Sequence, residues 1–381
     1  MALAASAPFA SFDVNANTNV QDYSPFLSEA IYLDLNWLSQ GINVGMDSPV
    51  YDTTHIWNQE SLNARTGTVG TASVTSFGTA IAYVSATPFH IGDEIFDTSI
   101  GSTEIMQITD IASGSLTVTR AYGGSAALSI AASATLAIVG AFQEGSDIAT
   151  DGSVAPTAFL NYTQTIFGKD LLLTRQQRLR RMMTGAMEVT RQLANRATEI
   201  RFDLTRATIY GEKNATTAVG SDTQYRTMAG VRAFIRDNSG VTNATAAALS
   251  YANLNTYNKS VVDKGKYPNR LACGTDLVGS ISGYDASNRV LAESDSMAGY
   301  QVTKVRLNQG NVVEVVVDGR FKTGDAFLYA NDQITALPFV GSAMFVIAAT
   351  DFVDGVKRRI GGDWTVEVRH PEATAWLSAK L

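Results

Sequence analysis

Residues 179–207 carry the most restrictive pattern in the sequence. Apolar side chains fall at Leu179, Met182, Ala186, Val189, Leu193, Ala197, Ile200, Leu204 and Ala207, always three or four positions apart. That spacing is one face of an α-helix and is incompatible with a strand, whose faces alternate every two residues. The pattern predicts a helix from about Thr174 to about Tyr210, roughly 55 Å long at 1.5 Å per residue. Such a helix is about three times the usual length. Gly211 supplies a stop. No heptad repeat with charged flanks persists, so a long coiled coil is the weaker choice.

The same helix is basic. Arg175, Arg178, Arg180, Arg181, Arg191, Arg196, Arg201 and Arg206 stand against Glu188, Glu199 and Asp203. One apolar stripe covers only part of a helix, so the arginines must occupy the remaining faces. Two uses compete: contact with nucleic acid or with an acidic neighbour, or a solvated face laced by intrahelical pairs around Arg196, Glu199 and Asp203.

An acidic neighbour is available within the sequence itself. Residues 1–64 contain no Lys or Arg and seven acids, among them Asp13, Asp22, Glu29, Asp34, Asp47 and Asp52. Residues 1–150 hold two bases against fourteen acids, a net charge of −12, and the remainder holds 27 bases against 22 acids, a net charge of +5. The split points to pairing between subunits or to one face turned toward a polyanion. The first 60 residues have scattered aromatics and weak periodicity apart from a short helical stretch at residues 26–33. They read as an extended arm that gains stability by lying on other surfaces.

Residues 66–150 read as all-β. Strand-like runs at 81–84, 94–97, 104–109, 115–120 and 135–139 are separated by Gly92-Asp93, Ser113-Gly114 and Gly123-Gly124. This spacing predicts a small meander sandwich or barrel. Residues 161–167 alternate polar and apolar and are expected to be extended. Beyond the long helix, residues 250–345 mix periods. Residues 254–262 read as helix, 276–282 and 287–291 as short helical pieces, and 270–274, 302–305, 311–317 and 326–329 as strands. Residues 352–359 and 364–369 read as two strands joined by a hairpin at Gly361-Gly362-Asp363.

Chemical motifs are missing. There is no phosphate-binding G-x-x-x-x-G-K-[ST], no G-x-G-x-x-G after a strand, no H-E-x-x-H and no G-x-S-x-G. Cys273 is the only cysteine and has no histidine nearby in sequence, so an inert buried thiol is expected. Three histidines do not suggest a metal centre, and the acid pairs Glu293/Asp295 and Asp351/Asp354 read as loop solvation. No enzyme, cofactor or metal is expected. No apolar run approaches the roughly 20 residues of a membrane span, and no secretory signal is legible. Hydrophobic residues make up 45% and charged residues 17%, the latter below the roughly 25% of an ordinary soluble domain. A surface that is mostly interface fits that deficit.

The order of segments resembles the major capsid protein of tailed bacteriophages, with the Hong Kong 97 (HK97-like) fold. The stretches 92–109 and 115–124 are similar to a β-rich insertion in one branch of these proteins. Residues 161–167 and the ending 362–375 (GDWTVEVRHPEATA) are similar to the same branch. The resemblance implies an α+β HK97-like fold with an N-terminal arm at 1–65, a small all-β insertion domain at 66–150 and a return arm of the extended loop at 151–173. A spine helix follows at 174–211, then an axial α+β domain at 212–345 and peripheral-domain strands at 346–381. It implies a structural subunit that assembles as pentamers and hexamers into an icosahedral shell around double-stranded DNA. The partners implied are itself, neighbouring capsomers, a portal, cement or decoration proteins, and DNA held by non-specific charge, with no membrane. The location implied is the virion capsid, assembled in the host bacterial cytoplasm. The alternatives are an encapsulin-like nanocompartment shell and a phage tail or adhesin component.

Overall fold

The helical period of the sequence is realised in helix α1, Glu188–Tyr210. The structure is a computed structural model that describes residues 37–60, 65–83, 89–99, 101–140, 156–168, 170–174, 176, 188–214, 225–242, 248–284, 289–291, 302–352 and 355–378. The described helix is about 33 Å long. Thr174 closes a strand, Leu171–Thr174, and Gln176, two residues on, is helical. The expected turns between residues 177 and 187 lie outside the described residues, as does the expected helical stretch at 26–33.

The chain divides into two units, residues 58–158 and the remainder. Strand β1 is Asn43–Val44 and β2 is Thr54–Gln59. The smaller unit then holds β3 (Thr66–Thr68), β4 (Ala80–Ala82), β5 (Glu94–Asp97), β6 (Ile105–Ala112), β7 (Ser115–Thr119) and β8 (Thr135–Ile138). They form one antiparallel sheet in the order β3-β8-β5-β6-β7-β4. A bridge from Val69 to Tyr83, just beyond β3 and β4, joins the two end strands and closes the sheet into a small barrel. Closure removes the open edges that would otherwise pair with other chains. The period-two pattern does the packing: Ile95, Met106, Ile108, Leu116, Val118 and Leu136 point inward and are 2% exposed or less. Among the described residues, three carboxylates of the unit, Asp93, Asp97 and Glu104, are also buried, and Glu104, at 1% exposed, is the deepest. Glu104 receives Arg120 Nε at 2.7 Å and Nη2 at 2.6 Å, and Arg120 Nη1 also donates to the carbonyls of Thr75 and Gly78.

In the larger unit the chain continues with β9 (Thr157–Tyr162), β10 (Gln164–Phe167) and β11 (Leu171–Thr174), then α1. There follow α2 (Val231–Asp237), β12 (Val241–Thr242), α3 (Tyr251–Val262), β13 (Arg270–Cys273), α4 (Val278–Ser282), β14 (Arg289–Leu291), β15 (Val302–Arg306), β16 (Val312–Val317) and β17 (Asp325–Tyr329). The last elements are β18 (Ile334–Pro338), β19 (Phe345–Phe352), β20 (Gly355–Val368) and β21 (Ala375–Ser378). A seven-stranded sheet runs β12-β21-β17-β13-β16-β15-β14. A six-stranded sheet is organised around β20, which pairs with β18 and β19 along one side and with β10 and β11 along the other. β2 and β9 form a two-stranded ribbon.

Three expectations fail here for identifiable reasons. Residues 289–291 are a strand and not helix, because they pair with β15. Gly361-Gly362-Asp363 is no hairpin; it lies inside the 14-residue β20. The glycines make room: a Cβ on Gly361 would come within 2.8 Å of the Phe167 and Phe345 rings, and one on Gly362 within 2.7 Å of the Ala343 carbonyl. Glycine in a strand interior marks such a close approach as readily as a turn. Finally, no boundary falls at 345/346. β18 joins β20, while the C-terminal β21 joins β17 in the other sheet.

α1 buries Ile200, Leu204 and Ile209 against the main core, with Leu193 and Ala207 partly buried beside them. It ends where Gly211 and Gly230 let two backbones touch: Gly230 N–H donates to Gly211 C=O at 2.8 Å, and a Cβ on either residue would strike backbone at under 3 Å. The described part of the expected arm is built into this core. Trp37 is fully buried, with the Phe321, Phe327 and Tyr329 ring centroids 5.4–6.3 Å away, and its Nε1–H donates to Thr208 Oγ1 at 2.9 Å. Fully buried Asn161 ties three elements: its Nδ2 donates to the carbonyls of Ala229 and Val366, and its Oδ1 accepts from Ala229 N–H.

Candidate assembly surface

The arginines of α1 fall into different environments. Arg196 is half-buried and held by Glu199 one turn on, with Nη1 at 2.5 and 2.6 Å from the two carboxylate oxygens. This is the intrahelical pairing that the sequence allowed as the alternative. Arg191 is half-buried, while Arg201 and Arg206 are exposed. Arg175, Arg178, Arg180 and Arg181 lie outside the described residues, as do Asp13, Asp22, Glu29 and Asp34. Asp47 and Asp52 are exposed, and Asp52 accepts from the backbone N–H of Thr53 in a local turn. The acidic partners that the structure places beside Arg196 and Arg206 therefore belong to α1 itself.

Two depressions flank α1. One, of about 440 Å³, collects charge: Glu199, Asp203 and Arg206 from the helix and Arg320 opposite, whose guanidinium stacks 4.0 Å over the Phe202 ring. Partial desolvation raises the Asp203 carboxyl above its ordinary value; Arg206 opposes the shift and Glu199 adds to it. The other, of about 470 Å³, is apolar. Leu38, Met46, Ile200, Leu204 and Met344 line it, and Arg201 is the one charged residue among its described lining. Val44, Met46 and Met344 are 40–56% exposed there.

A further charged cluster was missed by sequence reasoning. Asp170 accepts from Arg359 Nε at 2.6 Å, Arg359 Nη2 at 3.0 Å and Lys357 Nζ at 3.1 Å. Hydrogen bonds from Arg359 and Lys357 hold its carboxyl at about 2. The only sequence signal was the run Lys357-Arg358-Arg359; its partner lies nearly half the chain away. Glu367 is similar. Burial alone would raise its carboxyl, but His55 at 3.0 Å and Arg369 at 2.5 Å hold it below the ordinary range.

Reactive chemistry is sparse. Cys273 is fully buried, and burial, with Asp276 adding to it, pushes its thiol up to about 12. Among the described residues no group of three or more His, Cys, Asp or Glu side chains could hold a metal ion, and no helix is long and apolar enough to cross a membrane. What the surface offers instead is exposed apolar area beside fixed charge, the composition of a contact surface.

The family model of the SU10 major capsid protein matches residues 12–380. The chain belongs to that family. Its members' name states the role: this is a phage capsid shell subunit, with the place in the virion that the role entails. Solved structures agree on the fold. The capsid of a native GTA particle matches at a TM-score of 0.50 and 11% identity, covering 99% of this chain and 100% of that one. A structure of Microbacterium phage Oxtober96 matches at 0.50 and 10% identity, covering 98% and 100%. At these identities the likeness is one of fold, and the fold is that of HK97-like capsid proteins. A search of curated proteins finds no match.

Proposed function

We propose that this capsid protein assembles as pentamers and hexamers into a closed icosahedral shell around double-stranded DNA, inside the host bacterial cytoplasm, and that it carries out no catalytic step. The observation that carries the proposal is the family match over residues 12–380, which leaves almost none of the chain for a second role. The exposed apolar groove beside α1 supports it, since such area is costly to leave in water. A portal and decoration proteins complete the set of partners.

Within that shell, the amino-terminal arm, residues 1–65, contributes contacts to neighbouring subunits, and residues 66–150 lie within a separate β domain. Residues 212–345 supply most of an axial domain. The arginines of the long helix and the acids of the arm make contacts between subunits, with part of the 175–181 cluster facing DNA. Exposed pairs contribute about 0–1 kcal/mol each, yet repetition over every subunit makes assembly depend on salt. Sedimentation of the purified chain tests the proposal: particles far larger than the 40.7 kDa subunit are expected at low salt. A species that stays at subunit mass under all conditions would overturn it.

A further inference from the structure

Sheet edges expose unpaired N–H and C=O groups, and natural proteins blunt them with short strands, charges, proline or closure. Most edges of this chain obey that rule among the described residues. The barrel is closed by the Val69–Tyr83 bridge. The seven-stranded sheet ends in β12, two residues long, and β14, three. The six-stranded sheet ends in β1, two residues, with β10 and β11, four each, on the far side of β20. The ribbon strands have six residues each.

β19 breaks the rule. It is eight residues long and, among the described residues, pairs only with β20. Its first five residues, Phe345-Val346-Ile347-Ala348-Ala349, are apolar, no Lys, Arg or Pro occurs in the strand, and its single charge, Asp351, stands beyond that apolar run. Val346 is 53% exposed and Ile347 45%. Val346 stands directly opposite Ile360 and shares its face of the sheet, yet Ile360 is only 3% exposed. The covering layer therefore stops one strand short of the edge.

We infer that β19 accepts an extended strand from a second copy of the chain, which continues the six-stranded sheet across a subunit boundary. The inference rests on the shell reading, which supplies a second copy in fixed register. Main-chain pairing of this kind gives affinity, with alternate side chains filling the adjacent exposed sites. Charge favours the same occupant. The strand next to the edge carries Lys357, Arg358 and Arg359 with Asp170 as the acid between two of them, and a second copy brings an amino-terminal 64 residues with seven acids and no base.

Hydrogen exchange on the wild-type chain, in shells and as dissociated subunits, tests this. The amides of Phe345–Phe352 are expected to exchange about tenfold or more slowly in shells. Equal exchange in the two states would overturn the inference while leaving the shell reading intact; absence of any shells would overturn both. In parallel, Val346→Lys and Ile347→Lys place a charge at half-exposed edge positions. Each variant is expected to keep the wild-type circular dichroism and melting temperature and to lose at least about tenfold in shell yield. Wild-type yield from both would refute the proposal. If either variant fails to fold, the exchange measurement decides.

Discussion

Arg120→Met separates a buried charge from its partner inside the small barrel. The side chains of Arg120 and Glu104 are 7% and 2% exposed. Removing one member of such a pair costs about 3–5 kcal/mol, most of it the burden of an unpaired buried charge. Glu104 would keep backbone N–H donors from Ala121 at 3.0 Å and Leu128 at 2.8 Å, which pulls the figure toward 3. The carbonyls of Thr75, Gly78 and Leu128 would lose their donor, which pushes it back up. For a unit of about 100 residues each kcal/mol lowers the melting temperature by at least about 4 °C, so a fall of more than 10 °C is expected in the transition of residues 58–158. Hydrogen exchange or limited proteolysis on the full chain resolves that unit. The acid response adds a second test. Burial raises the Glu104 carboxyl, but the bonds from Arg120, Leu128 and Ala121 together hold it below its ordinary 4.5. A depressed carboxyl stabilises the fold above its unfolded value and loses that contribution as pH falls through its folded value. In the variant Glu104 protonates earlier, so the gap to wild type should narrow on acidification. A loss below about 1 kcal/mol, or a gap that does not change with pH, would refute the reasoning.

Other perturbations follow the same logic. Trp37→Ala empties a fully buried site ringed by three aromatics and should cost about 3–5 kcal/mol by denaturant unfolding; a cost under 1 would show that Trp37 is not a core residue. Gly361→Val drives a side chain into the Phe167 and Phe345 rings and should destabilise the larger unit by about 1–3 kcal/mol, whereas a turn at that position would tolerate it. Asp170→Asn should flatten the acid-unfolding profile between the ordinary carboxylate range and about pH 2, because the wild-type group keeps its charge down to about 2; an unchanged acid midpoint would discount the cluster. Charge reversal at Arg180 and Arg181 should abolish shells if the cluster joins subunits, which is the expected outcome; shells that form but lose their DNA would assign the cluster to the interior instead.

Local patterns were legible and distant pairings were not. The barrel strands announced themselves through period two and glycine turns, but only the β5–β6 and β6–β7 pairs join strands consecutive in sequence, while β3 and β4 pair with the distant β8 and β7. α1 was legible from its spacing alone. β20 was not, since its 14 residues pair with strands as far apart in sequence as β10 and β18, and Gly361-Gly362 served ring packing where a turn was expected. Trp37 read as part of an arm lying on another subunit or on the body of the fold; its pocket is built from residues near 320 and 208, which no local signal reveals. The basic helix was read correctly as basic, but its contacts were divided: Arg196 is spent on Glu199, while Arg201 flanks an apolar groove. The role of the chain came through the order of its segments and not through any chemical motif.

Electron micrographs of the purified chain, concentrated at low salt, test the central claim most directly. Round, closed particles of uniform diameter with five-fold and six-fold capsomers are expected. Fibres, open sheets or a field of separate subunits would contradict the assignment of this chain to a self-assembling shell.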